Sequence, residues 1–180
     1  MSLDAGPRAS FEELEIRTRD GVSLRAVVEE PRDGAELVGT CVLAHAMFAR
    51  KSEWGRRERP GVAQAWAALG WRTVAFDFRG HGDSDPSPDG TYSWDGFADD
   101  AQAVLEHLEL LGDPRLLAVG HSKGATSLMT VAWRRPGTIP RIWAFEPIVF
   151  PQYDAALQDP DNPMSASARR RRAVWPSRDA

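Results

Sequence analysis

The pentapeptide Gly120-His121-Ser122-Lys123-Gly124 places a serine between two glycines. The pattern G-x-S-x-G is typical of serine nucleophiles, whose hydroxyl attacks an acyl carbonyl. A chain of this length shows the pattern by chance about one time in twenty, so its surroundings must support it. Residues 116–119 form an apolar run, and a helix-compatible segment follows the second glycine. The sequence therefore predicts the strand–turn–helix setting that a nucleophile elbow requires.

Gly120 and Gly124 have a physical reason to lack side chains. A nucleophile in this setting occupies a sharp, strained turn, and side chains two residues to either side would collide with the neighbouring strand and helix. The turn also leaves backbone N–H groups at the start of the following helix, where they can stabilise a developing oxyanion. The pattern thus predicts an acyl-transfer site at this turn.

Hydrophobic periodicity predicts the elements that would position the serine. Residues 11–18 and 22–30 alternate apolar and polar residues around Asp20-Gly21, which indicates a β-hairpin. The predicted strands that follow are 37–46, 71–80, 115–120 and 141–146, and the predicted helices are 62–70, 94–111 and 124–135. This alternation predicts an α/β fold, with a mainly parallel sheet of about six strands and an N-terminal β-hairpin.

Three motifs, in this order along the chain, resemble those of the α/β-hydrolase family. The segment VLAHAMF (42–48) resembles the strand-end segment that supplies an oxyanion-hole amide. The segment FDFRGHGDS (76–84) resembles the family's D-x-R-G-x-G-x-S segment, and VGHSKGA (119–125) resembles the elbow. Together they are far more specific than the elbow alone. The resemblance implies the N-terminal part of an α/β-hydrolase fold.

The resemblance also implies roles for individual residues. Ser122 is the expected nucleophile, and the backbone N–H of Lys123 is one expected oxyanion donor. The N–H of Met47 is the other, with Phe48 as the close alternative. His45 is the expected structural residue of residues 45–48, which we call the oxyanion loop.

Supporting roles in the elbow fall to Gly120, His121 and Gly124. The sequence departs from the family pattern twice. Ala46 stands where the family usually has glycine, and Ala125 stands where a second glycine is common. Both side chains are small, so we expect the fold to tolerate them.

The histidine base that the family places late in the chain is missing from this sequence. None of its four histidines follows Ser122. His121 is adjacent to the serine, but the elbow directs neighbouring side chains apart. We expect His107 to be a surface residue of its helix, and His81 to be structural rather than catalytic. A serine without its base is a poor nucleophile.

Two other residues could take part in the chemistry. A Ser–Lys dyad with Lys123 is disfavoured, because residues i and i+1 do not face each other at a helix start. Glu146 ends the last predicted strand, where some family members carry their catalytic acid. A carboxylate of a loop or lid is the favoured interpretation of Glu146, and the catalytic acid is the alternative.

The length suggests an incomplete hydrolase. Residues 1–146 are the predicted core, and residues 147–180 are the predicted start of a lid or cap insertion, rich in proline and basic residues. The family fold has further strands, so the sequence predicts a chain truncated within the lid. A six-stranded sheet would expose the apolar edge RIWAFE, which could support self-association.

Composition narrows the classes of partner and compartment. The net charge of −4 argues against nucleic acid, and the basic run ARRRRAV (168–174) is interpreted as a solvated face of a lid helix. No metal-ligand or nucleotide-binding spacing is present, so we expect no metal and no cofactor.

Without a signal peptide or membrane-spanning run, a cytoplasmic protein that does not bind membranes is expected. Cys41, Trp66, Trp71, Trp133 and Trp143 are predicted to be core residues.

Two functional hypotheses remain open at this point. The first is a cofactor-independent serine hydrolase that acts on a small-molecule ester or related acyl bond through Ser122. The second is a catalytically silent fragment, or a non-catalytic binding module on a hydrolase scaffold, because no histidine follows Ser122.

Overall fold

The computed structural model describes residues 11–31, 35–55 and 59–149. Its strands are β1 Phe11–Arg17, β2 Ser23–Glu29, β3 Gly39–Ala44, β4 Trp71–Phe76, β5 Leu116–His121 and β6 Ile142–Phe145. Its α-helices are α1 Val62–Ala67, α2 Trp94–His107 and α3 Lys123–Arg134. A short 3-10 helix, Lys51–Trp54, was not predicted from the sequence. The predicted lid segment lies outside the described residues, except for residues 147–149.

The six strands form one sheet in the order β1-β2-β4-β3-β5-β6. β1 pairs with β2, and β2 with β4, in antiparallel fashion, whereas the pairs β4–β3, β3–β5 and β5–β6 are parallel. The predicted α/β class, the N-terminal hairpin and the mainly parallel sheet are therefore confirmed. Parallel neighbours bring the carboxyl ends of β3, β5 and β6 to the same edge of the sheet.

β3 lies at the centre of the sheet and is buried along its whole length. Its side chains alternate between two hydrophobic clusters. Val42 and Ala44 face the cluster that contains α2 and α3, and Cys41 and Leu43 face the cluster that contains α1 and Trp54. This coverage of both faces explains why the strand is a continuous apolar run. Burial also raises the pKa of the Cys41 thiol to about 12, which keeps it protonated.

Two of the four tryptophans that we predicted to be core residues are in fact exposed. Trp133 on α3 is 81% exposed, and Trp143 on β6 is 49% exposed. Trp66 and Trp71 are partly buried against the smaller cluster. Helical or strand periodicity gives a residue's place in an element, but it does not say whether anything covers that face.

β6 forms one edge of the sheet, and among the described residues it pairs only with β5. Its side chains alternate between partial burial and exposure. The rings of Trp143 and Phe145 stack at a centroid distance of 5.0 Å on the exposed side. None of the described helices combines the length and the apolar character of a membrane-spanning segment.

Candidate active site

Ser122 occupies the sharp turn between β5 and α3. Its backbone has φ 49° and ψ −113°, a combination that residues with a Cβ rarely adopt. Its N–H donates a 2.8 Å hydrogen bond to the carbonyl oxygen of Phe145, which ties the turn to β6. Although Ser122 is the N-cap residue of α3, its side chain does not cap the helix. The turn therefore directs the hydroxyl away from the capping position that serine usually takes.

Close backbone contacts explain both glycines of the elbow. A Cβ on Gly120 would lie 2.5 Å from Cα of Ala125 and 2.6 Å from the carbonyl carbon of Gly124. A Cβ on Gly124 would lie 2.5 Å from the carbonyl carbon of Ala44 and 2.9 Å from its Cβ. The elbow is thus pressed against the start of its own helix on one side and the end of β3 on the other.

The oxyanion loop follows β3 directly, and His45 holds its backbone. The buried His45 ring places Nδ1 2.7 Å from the carbonyl oxygen of Ala46, and its Nε2 accepts a 3.2 Å hydrogen bond from the N–H of Phe78. Nε2 must be the unprotonated nitrogen, so Nδ1–H donates to Ala46. The Ala46 carbonyl and the Met47 N–H belong to one planar trans peptide, so they point in opposite directions. His45 therefore sets the direction of the Met47 N–H.

Burial keeps the His45 ring neutral. Desolvation is the largest influence on its pKa, and the nearby Lys123 and His81 act in the same direction. Together they hold the pKa of His45 well below its ordinary value of 6.5. A neutral ring with a fixed tautomer is the form that the two hydrogen bonds of His45 require.

His81 holds the next peptide of the oxyanion loop. Its Nε2 lies 2.5 Å from the carbonyl oxygen of Met47, and its Nδ1 lies 2.8 Å from the carbonyl oxygen of Arg79. Because the Met47 carbonyl points towards His81, the N–H of Phe48 in the same peptide points the opposite way. Both candidate donors of the loop, Met47 and Phe48, therefore have orientations set by histidines.

Lys123 carries a buried side chain, which the sequence did not reveal. Its Nζ lies 3.2 Å from Nε2 of His81, and 4.1 Å and 4.4 Å from the ring centroids of Phe78 and Phe97. Such a position gives cation–π contact with both rings. The ammonium thus extends towards His81 and the two aromatic rings.

The segment 76–84 is held by ion pairs of its two buried residues Asp77 and Arg79. Asp77 is fully buried, and its carboxylate accepts hydrogen bonds from the N–H of Lys51 at 2.6 Å and from Nζ of Lys51 at 2.6 Å. Arg79 donates from Nε to the buried Asp100 at 2.9 Å and from a terminal nitrogen to Asp20 at 2.7 Å. These two motif residues fix the loop that presents His81.

The side chain of His121, the residue before Ser122, contacts Glu53, a residue that the sequence did not single out. Its Nδ1 lies 2.6 Å from Oε1 of Glu53, and the other oxygen of that carboxylate accepts a 2.9 Å hydrogen bond from the N–H of Ala46. Glu53 belongs to the unpredicted 3-10 helix. No motif or periodicity marks it, because its role depends on contacts between segments far apart in sequence.

Glu146 and His107 lie at the positions that the sequence assigned to them. Glu146 follows β6 directly, its side chain is 88% exposed, and its Oε2 is 3.9 Å from Nε2 of His121. His107 is exposed at the carboxyl end of α2, and α2 runs back towards the start of β5. His107 is therefore at the opposite edge of the sheet from Ser122. Among the described residues, no group of three His, Cys, Asp or Glu side chains could hold a metal ion.

Comparison with known proteins extends these local findings. Residues 42–178 match the family model described as the α/β-hydrolase fold. The chain is 33% identical over 110 residues to the mouse sn-1-specific diacylglycerol lipase ABHD11. This alignment covers 61% of the present chain and 33% of the lipase. The chain is also 30% identical over 125 residues to a non-heme chloroperoxidase of Streptomyces lividans. That alignment covers 69% of the present chain and 41% of the chloroperoxidase.

A solved structure shows the same fold. The α/β hydrolase GrgF from Penicillium sp. sh18 superposes with a TM-score of 0.64 at 17% identity, and the match covers 89% of this chain and 53% of GrgF. The chain spans only part of the curated relatives it matches: 33% of the length of the lipase and 41% of the length of the chloroperoxidase.

Proposed function

The chain belongs to the α/β-hydrolase fold family, and on that premise we propose that Ser122 is the nucleophile of a cofactor-independent serine hydrolase. The proposed substrate is a small molecule with an ester or related acyl bond. The observation that carries the proposal is the strained backbone of Ser122 at the junction of β5 and α3. Strain of this kind costs on the order of 1–3 kcal/mol and persists mainly where function requires it.

In the proposed reaction, Oγ of Ser122 attacks the acyl carbonyl carbon as its proton passes to a base. The carbonyl oxygen becomes an oxyanion, which the N–H groups of Lys123 and Met47 stabilise. Collapse of this intermediate breaks the ester bond, and the leaving alkoxide departs with the proton. Water then hydrolyses the acyl-serine and releases the acid. Donors in an oxyanion hole contribute about 3 kcal/mol each in other enzymes.

The position of Lys123 supports its role as a donor, because it is the first residue of α3. N–H groups at a helix start point out of the helix, and the helix dipole adds positive potential there. The position of Met47 gives independent support. The pairing of β3 with β5 aligns Ala44 with Gly120, so the oxyanion loop and the elbow leave the sheet side by side.

The names of two relatives support an ester as the class of substrate. One relative is named a diacylglycerol lipase, and another, a protein of Acinetobacter calcoaceticus that is 34% identical over 100 residues, is named a bifunctional esterase/perhydrolase. Both names describe ester chemistry, which is acyl transfer to or from oxygen. We extend only this bond type to the present chain.

A second candidate function is a catalytically silent or binding role on the hydrolase scaffold. It is favoured by the contacts of the histidines. The rings of His45, His81 and His121 contact the Ala46 carbonyl, the Met47 carbonyl and Glu53, respectively. His107 lies at the far edge of the sheet. Removal of the histidine from a catalytic triad lowers kcat by about 10⁶-fold. The presence or absence of a base for Ser122 therefore distinguishes the active hydrolase from the silent scaffold.

Ester turnover with an added base discriminates the two candidates. The purified chain and its Ser122→Ala variant are assayed with a chromogenic short-chain ester, with and without imidazole. Imidazole acts as an external base, and the variant reports the hydrolysis that imidazole causes by itself. The proposed hydrolase predicts turnover that depends on both Ser122 and imidazole. Equal rates for the two proteins at every imidazole concentration would favour the silent scaffold.

A further inference from the structure

Glu53 contacts two backbone segments that converge at the candidate active site. Its Oε2 accepts a 2.9 Å hydrogen bond from the N–H of Ala46, and its Oε1 lies 2.6 Å from Nδ1 of His121. Ala46 immediately precedes Met47, and His121 immediately precedes Ser122. A single carboxylate therefore joins the residue before the proposed oxyanion donor to the residue before the proposed nucleophile.

We propose that Glu53 is a positioning residue that fixes the oxyanion loop relative to the nucleophile elbow. The inference rests on the proposed function, because it assigns Glu53 a role in that reaction. Acyl transfer needs the oxyanion donors within hydrogen-bonding distance of the oxygen that Ser122 generates. Small displacements between such groups reduce rates strongly, so a tie between the two segments serves the reaction.

The anchoring of the 3-10 helix makes Glu53 suited to this role. Its neighbour Trp54 is only 7% exposed and belongs to the cluster that contains Cys41 and Leu43 of β3. The N–H of Glu53 donates a 2.8 Å hydrogen bond to the carbonyl oxygen of Arg50. The backbone of Glu53 is therefore fixed to the same strand that leads into the oxyanion loop.

The contact with His121 is also specific in its hydrogen-bonding pattern. An ionised carboxylate only accepts hydrogen bonds, so Nδ1 of His121 must carry the proton. Side-chain exposures of 24% for Glu53 and 35% for His121 leave the pair partly shielded from water. Hydrogen bonds of this charge-assisted type are roughly twice as strong as neutral ones. Glu146, at 3.9 Å on the opposite ring nitrogen, is too distant for such a bond.

The first part of the test measures the two bonds without any assay of activity. In the 180-residue protein, NMR is used to follow the Nδ1–H signal of His121 and the hydrogen exchange of the Ala46 amide. We expect Glu53→Ala to remove the Nδ1–H signal and to speed exchange at Ala46 by about tenfold. Glu53→Gln should keep Ala46 protected through its amide oxygen, but its NH₂ group should force His121 to accept at Nδ1. Glu146→Gln, the matched control, should alter neither signal.

The second part links the bonds to the proposed reaction. Inactivation by a fluorophosphonate in the presence of imidazole, at the same concentration for every variant, is resolved into the maximal rate kinact and the binding constant KI. Loss of positioning predicts that Glu53→Ala lowers kinact by about tenfold while KI stays close to that of the unaltered chain. Glu53→Gln should recover part of kinact, which a general loss of folding would not allow.

The outcomes separate this inference from the proposed function. If the unaltered chain does not react at Ser122, the proposed function fails, and the NMR measurements still decide whether Glu53 ties the segments. If Ser122 reacts and Glu53→Ala leaves both kinact and the Ala46 exchange rate unchanged, the positioning role is overturned. A parallel change of kinact and KI in both Glu53 variants would also overturn it.

Discussion

Gly124, the second residue of α3, lies directly against Ala44, the last residue of β3. A Cβ on Gly124 would come within 2.5 Å of the Ala44 carbonyl carbon, and neither backbone can move without shifting its element. We therefore predict that Gly124→Ala lowers the free energy of unfolding by about 3 kcal/mol, the upper range for an overpacked core. Denaturant unfolding of the two proteins measures this difference.

Gly90→Ala provides the control for this prediction. Gly90 has φ 72°, but among the described residues no heavy atom lies within 4 Å of the position that a Cβ would take. The substitution should therefore cost only the conformational term, about 1 kcal/mol. A Gly124→Ala variant as stable as Gly90→Ala would show that the elbow and β3 are not in rigid contact.

The backbone of Ser122 leads to a prediction about stability. Alanine at this position retains the Cβ and its strain, whereas glycine adopts φ 49° without steric cost. Ser122→Gly should therefore be more stable than Ser122→Ala by about 1 kcal/mol, although glycine normally destabilises a folded chain. Thermal or denaturant unfolding of the two variants tests this order. The opposite order would mean that the turn stores no strain.

The low pKa of His45 predicts a loss of stability in mild acid. Below pH 6.5 the unfolded chain protonates this residue, but the folded chain does not, because burial and Lys123 oppose the charge. Proton uptake by the unfolded state then favours unfolding as the pH falls. From pH 7.5 to 5.5, His45 should therefore lower the free energy of unfolding, by on the order of 1 kcal/mol.

Two substitutions identify His45 as the source of this pH dependence. His45→Asn keeps a donor near the Ala46 carbonyl but does not titrate, so its stability should vary less between pH 7.5 and 5.5. Lys123→Met removes a cation that lowers the pKa of His45 and should reduce the pH dependence in the same direction. Unchanged pH profiles in both variants would assign the effect to other groups.

The sequence predicted those features that depend on local pattern. Hydrophobic periodicity located the six described strands and the three described α-helices to within a few residues. It could do so because burial of one or both faces of an element imposes a regular pattern of apolar residues. The elbow was also predictable, since its glycines reflect close approach of backbones within one short segment. The resemblance placed His45 in the oxyanion loop, and its two hydrogen bonds show how it can support that loop.

Contacts between distant segments could not be predicted in this way. Glu53 and His121 are 68 residues apart, and neither has a pattern that indicates the other. The burial of Lys123 depends on Phe78 and Phe97, which come from a different loop and helix. Lysine is seldom buried, so composition alone favours an exposed side chain. Only the assembled sheet brings these groups together.

Covalent modification of Ser122 shows whether this serine reacts as a nucleophile. The chain is incubated with a fluorophosphonate in the presence of imidazole, and the modified residue is identified by mass spectrometry of peptides. We predict a single adduct on Ser122, formed faster with imidazole than without it and absent from Ser122→Ala. No adduct on Ser122, or equal labelling of other serines such as Ser84 and Ser127, would show that Ser122 is not the nucleophile.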